Sequence, residues 1–120
     1  MSSHNIQEEL RKAGIQPRGS IAVAAQTLVA PLTHSVIEKT TDNTSDDALV
    51  VANGKPGQEL TIILIEDGGK DCDVTPTTTT GFITVALDDV KDTVTLEYID
   101  DTVGWIVIGA TGTAANPLIT

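Results

Sequence analysis

A chain of 120 residues has room for one domain with a real core, and its single cysteine, Cys72, cannot close an intrachain bridge, which excludes a disulfide-built secreted fold. About a third of the residues are Val, Ile and Thr, the β-branched types that suit pleated surfaces and lose rotamer freedom in helices. The net charge is −10, yet Arg11, Lys12 and Arg18 all fall in the first twenty residues, so the remaining body is strongly acidic and repels nucleic-acid phosphates.

The chain opens with one short helix. Asn5 and Glu8 have capping-box spacing, and Ile6, Leu10 and Ala13 make a narrow apolar stripe at i, i+4 and i+7. Gly14 can stop the helix and Pro17 prevents its resumption, so the spacing predicts a helix over 5–14. A helix this short is unstable alone in water and needs a surface to lie on. QPRGS follows as a linker. The opening MSSHNIQEELRKAG lacks the apolar run of a signal peptide. IAVAAQTLVA, residues 21–30, is too short to span a bilayer and reads as an extended segment or edge strand. Neither membrane nor nucleic acid is expected as a partner. Residues 1–33 are therefore taken as an N-terminal arm, 34–112 as a β domain and 113–120 as a C-terminal tail.

Within the β domain, SVIEK (35–39) is a short strand and TTDNTSDD (40–47) a polar loop. ALVVA (48–52) is a strand, and the NGKPGQ after it is dense in turn residues. LTIILIE (60–66) is apolar on both faces and belongs in the middle of a sheet. DGGK (67–70) offers Asp-Gly for a hairpin, with CDVT (72–75) as the return strand. FITVAL (82–87) puts Ile83, Val85 and Leu87 on one face, and DDVKD (88–92) makes a charged turn. TVTLEYI (93–99) alternates, with Val94, Leu96 and Tyr98 on one side. DDTV turns the chain into GWIVIGA. About seven strands, each roughly a dozen residues after the last, predict an all-β domain, a compact antiparallel β-sandwich or barrel.

The last hairpin holds the chain's one Tyr and one Trp. With DDTV as the turn, Tyr98 faces Trp105 on the side of Val94, Leu96 and Val107. Such a cross-strand aromatic pair pins the register, because a one-residue slip sends Trp105 to the opposite face. A sugar-binding platform would use the same two rings but needs polar neighbours that this stretch lacks.

Little else in the sequence points to chemistry. His4 and His34 have no closely spaced partner of the kind a zinc site uses. Cys72 lacks a helix start or a near His to activate it and reads as a half-buried strand thiol. Asp88 with Asp89, and Asp100 with Asp101, match glycosidase carboxylates in composition only and sit where turns are expected. GGKDCD (68–73) is a single, incomplete version of a calcium-binding repeat. No catalytic residue, metal site or cofactor is assigned, and no enzyme activity is expected.

The order of pieces is informative. A turn ending in PGQ, the strand LTIILI, a DGG turn and VTP, followed later by TLEYID and GWIVIG, resembles small virion proteins of tailed bacteriophages over about residues 48–112. That group includes capsid decoration (cement) proteins and head- or tail-fibre modules, usually β-rich homotrimers. The resemblance implies a structural protein on the outside of the head that binds and stabilises the major capsid protein lattice. It also implies capsid contact through the arm, where Ile6, Leu10, Arg11, Lys12 and Arg18 are the candidates. The lack of long repeats and heptads favours a compact decoration protein over a fibre shaft. The alternative is a fibre or spike module that binds a host-surface glycan through an exposed Tyr98 or Trp105.

Overall fold

A computed structural model of the protein describes residues 19–112 and 117–120; the expected helix over 5–14 and the arm candidates Ile6, Leu10, Arg11, Lys12 and Arg18 lie outside the described residues. The described chain is all β, with nine strands: β1 (Ser20–Val23), β2 (Val36–Thr40), β3 (Asp47–Val51), β4 (Glu59–Glu66), β5 (Cys72–Pro76), β6 (Val85–Leu87), β7 (Thr93–Tyr98), β8 (Trp105–Thr111) and β9 (Leu118–Ile119). They form a first sheet of order β1-β2-β4-β7-β8 and a second of order β3-β5-β6-β9. β4 takes the middle of the first sheet, as its apolar run predicts.

The expected all-antiparallel pairing is not what forms. β1, β2 and β4 run parallel to one another, as do β3 and β5. Successive strands alternate between the sheets: β1 in the first, a bridge at Val29 onto β3 in the second, then β2, β3, β4 and β5 in turn. The first half of the chain is thus a flattened coil, and the second half closes it with antiparallel strands β6 to β9.

The expected DGGK hairpin fails for a local reason. A hairpin returns its chain after about two residues, whereas residues 67–71 cross from one sheet to the other beside the preceding crossing. Gly68 N–H donates to Thr41 Oγ1 at 3.4 Å and Lys70 N–H to the Asp42 carbonyl at 3.1 Å. A side chain at Gly68 would collide with the backbone of Thr41 and Asp42. The glycines therefore serve the stacking of two crossings.

FITVAL is also corrected. Only Val85–Leu87 is strand, and Ile83 is turned out to solvent while Phe82, Val85 and Leu87 are buried. The preceding PTTTTG does not idle as a loop. Trp105 N–H donates to the Thr78 carbonyl at 2.9 Å and Thr80 N–H to the Trp105 carbonyl at 3.2 Å, so this segment covers the outer edge of β8 where that strand begins. Gly104 permits the approach: it has φ +73° and no Cβ to strike the Thr78 backbone.

Alternation fills the core between the sheets. Ile37, Leu60, Ile62 and Leu96 from the first sheet meet Leu49 and Val74 from the second, all fully buried. Tyr98 pairs with Trp105 in the β7–β8 register, the two rings 5.2 Å apart at 68°, edge to face. Both are fully buried, on the side of Val94 and Leu96, with Val107 packed against the core. The Trp105 indole N–H donates to the Ala52 carbonyl at 3.0 Å and ties the first sheet to the end of β3.

Candidate functional site

The sequence-level candidates take structural places. Tyr98 and Trp105 form no exposed platform, since neither ring reaches solvent. The Tyr98 hydroxyl donates to Asp101, and burial with that carboxylate pushes the phenol up to about 12. Asp100 Oδ1 accepts the N–H groups of Thr102 and Val103 at 2.9 and 2.7 Å, which closes the β7–β8 turn. Asp88 and Asp89 each donate a backbone N–H to Asp92 Oδ2, at 3.0 and 3.1 Å. His34 lies beside β2, its Nδ1 2.9 Å from Thr33 Oγ1. Among the described residues, no group of three or more His, Cys, Asp or Glu is arranged to hold a metal ion.

Cys72 is fully buried, and burial pushes its thiol up to about 12. A thiolate is the reactive species, so the native protein presents almost none. Thiol-reactive dye is expected to label Cys72 only after unfolding, with a rate that follows the unfolded fraction; prompt labelling of the folded chain would contradict this burial.

Two charged features were missed at sequence level. In the first, Lys39 Nζ meets Asp47 Oδ2 at 2.8 Å, with both side chains fully buried. Lys39 also donates to the Ala24 carbonyl at 2.8 Å, and Asp47 Oδ2 accepts the Gln26 N–H at 3.0 Å. The pair joins β2 to β3 and so bridges the two sheets. Its signal was present in the alternation, since Lys39 shares the inward side with Ile37, and Asp47 shares it with Leu49 and Val51.

The second feature is a row of carboxylates at one end of the second sheet. The pairings Asp47 with Cys72 and Cys72 with Leu87 bring Asp46, Asp71 and Asp88 side by side at the next position. Asp71 N–H donates to Asp46 Oδ1 at 2.9 Å. Partial burial, a hydrogen bond with Asp88, and the charges of Asp88, Asp46 and Asp73 push the Asp71 carboxyl up to about 6. Burial followed by the Asp46 charge raises Asp73, and burial followed by Asp88, Asp92 and Asp67 raises Asp89. Like charges aligned across strands oppose folding.

The sign of the pH effect follows. The folded Asp71 carboxyl holds its proton to about pH 6, above its ordinary 3.8, so the folded state binds more protons between those values. Its stabilising contribution is complete below pH 3.8 and is lost as the pH rises through 6. Asp71 is largely solvated, so screening holds the effect to about 1 kcal/mol or less. Asp71→Asn is expected to flatten this decline and stabilise the protein at pH 7, as read from urea unfolding at a series of pH values. An unchanged pH profile would remove the row's energetic role.

The outward face of the same sheet is different in character. Among the described residues, the exposed large apolar side chains Val29, Val50 and Leu118 lie on it. Val29 bridges to Val50, which pairs with Thr75; the neighbouring row runs Ala48, Asp73, Ala86, Leu118. Asp73 is the one charge in these two rows. The outward face of the first sheet instead carries Glu38, Glu59 and Glu97 around a Thr61–Thr95 hydroxyl contact of 2.9 Å. A face that is apolar but for Asp73, on a strongly acidic body, is a surface suited to contact with another protein.

No protein-family model matches the chain, and no characterised protein matches it.

Proposed function

We propose that the chain is a structural virion protein that binds the outside of a tailed-phage head and stabilises the lattice of the major capsid protein. The observation that carries this reading is the outward face of the second sheet, apolar but for Asp73 in its central rows and flanked by carboxylates. Such a face supplies apolar area for adhesion, while the acidic remainder keeps crowded copies soluble. The resemblance of the PGQ, LTIILI, DGG, TLEYID and GWIVIG series to phage decoration proteins points the same way. The work is additive: each bound copy bridges neighbouring capsid subunits, and many copies together raise the particle's resistance to internal pressure. The glycan-binding alternative finds no support in the aromatic pair, because both rings are buried.

Cosedimentation with undecorated, expanded phage heads tests the proposal. Saturable binding and heads more resistant to heat are expected. Failure to bind at micromolar concentration would overturn the decoration role.

A further inference from the structure

The four lysines and fifteen Asp and Glu residues that follow Arg18 all lie between Glu38 and Asp101. Residues 19–37 and 102–120 hold no Asp, Glu, Lys or Arg. The fold places these two stretches at opposite flanks of the sandwich. β1 and β8 are the outer strands of the first sheet. β9 is one border of the second sheet, and residues 28–30 bridge onto β3 at its other border. Both flanks are thus sheet edges built without charged side chains. A bare edge offers its backbone donors and acceptors to another strand, and proteins usually blunt such an edge with charge.

The two flanks match in direction. β1 runs parallel to β2 and β4; β7 reverses that direction and β8 reverses it again, so β8 points the same way as β1. In the second sheet β6 reverses the direction of β3 and β5, and β9 restores it. The bridge at Val29 is parallel to β3, so residues 28–30 point the same way as β9. The flanks also match in level. Followed across the first sheet, Ser20 stands level with Gly109 and Ala22 with Thr111. Residues 78–80 bridge β8 at Trp105, at its other end, so among the described residues nothing pairs with the outer side of 109–111. In the second sheet Ile119 is level with Leu49, next to the Val50 that Val29 bridges. The Gly19 carbonyl accepts the Val36 N–H at 3.2 Å, which leaves the N–H groups of Ser20 and Ala22 aimed away from β2.

We propose that copies of this chain join flank to flank, with β1 and residues 28–30 of one copy against β8 and β9 of the next, so that both sheets run on across the contact. Two features select a second copy. An occupant must present two edges at once, about 10 Å apart as packed sheets are, each with the required direction and level. The opposite flank of this same molecule does so by its construction. A net charge of −10 also opposes self-association, and at the flanks no charged side chain of one edge strand faces another. Because the two flanks differ, the contact is heterologous, closing into a ring or running on as a filament according to the rotation between copies. This inference stands apart from the capsid proposal: it uses the sheet edges and concerns the protein alone in solution.

Sedimentation velocity on the full-length chain tests it, with three proteins: wild type, Ser20→Lys/Ala22→Lys on one flank, and Gly109→Lys/Thr111→Lys on the other. All four positions are exposed, and a Cβ at Gly109 meets nothing within 4 Å, so these changes spare the core. Wild type is expected to associate, and more tightly at high salt, which screens the repulsion between acidic bodies. Each variant alone is expected to associate at least tenfold more weakly, because a lysine on the edge must lose water when the strands pair. Their equimolar mixture is expected to form dimers, since each variant keeps the flank that the other has lost. Three results overturn the proposal. One is a wild type that stays at 12.5 kDa at every salt and protein concentration, a result that stands even if a variant fails to fold. The second is association of either variant as tight as that of wild type, which places the contact on another surface. The third is a mixture no larger than its components.

Discussion

Lys39→Met is expected to destabilise the protein by about 3–5 kcal/mol, the cost of leaving a buried carboxylate without its counter-ion. Asp47 would keep one donor, the Gln26 N–H on Oδ2, while its Oδ1 already has no hydrogen-bond partner. The Ala24 carbonyl would lose its lysine donor as well. Because the pair joins β2 to β3 and holds the residues after β1, the loss falls on the crossings where the chain passes between sheets. The double variant Lys39→Met/Asp47→Leu is expected to recover most of the loss, since two apolar side chains of similar size avoid the desolvation of both charges. Urea unfolding of the three proteins provides the measurement. A loss below about 1 kcal/mol for the single variant, of the size usual for exposed pairs, would show that the ion pair reaches solvent.

Trp105→Ala carries a comparable expected cost, about 3–5 kcal/mol, from lost apolar contact and the cavity left behind. Three interactions end together. The edge-to-face contact with Tyr98 is lost, as is the indole hydrogen bond to Ala52, and the cavity opens where PTTTTG seals the edge of β8. Trp105→Phe is expected to cost less, because it restores a ring beside Tyr98 while leaving the Ala52 carbonyl without its indole donor. Emission from the one tryptophan reports the same environment: a blue-shifted band resistant to aqueous quenchers is expected. A loss below about 1.5 kcal/mol for Trp105→Ala would mean that this corner is not packed as described.

The sequence made the all-β class, the central place of β4 and the Tyr98–Trp105 register legible, because each rests on local alternation. Val94, Leu96 and Tyr98 can point one way only, and the turn at 100–103 then fixes what Trp105 meets. Strand direction was not legible. Asp-Gly is a good hairpin signal, but here the glycines let one crossing lie against another, a contact between residues 41–42 and 68–70 that periodicity does not reveal. The buried Lys39–Asp47 pair was legible in principle, since both positions fall on inward sides of their strands, but a charge at such a position names its partner only once β2 and β3 are placed in different sheets. The carboxylate row was illegible for the same reason: Asp46, Asp71 and Asp88 stand far apart in sequence, and register alone aligns them.

The outward face of the second sheet, apolar but for Asp73, and the carboxylate row beside it are the part of the molecule on which the functional reading depends. Paired surface variants measured against undecorated phage heads give the most direct test. Val29→Lys/Leu118→Lys changes the outward face of the second sheet, and Thr61→Lys/Ile106→Lys changes that of the first. Binding is expected to fall at least tenfold for the former and to stay within about twofold of wild type for the latter, as a contact confined to one face requires. Equal binding by both variants, or loss only when the first sheet is altered, would contradict adhesion through the second sheet.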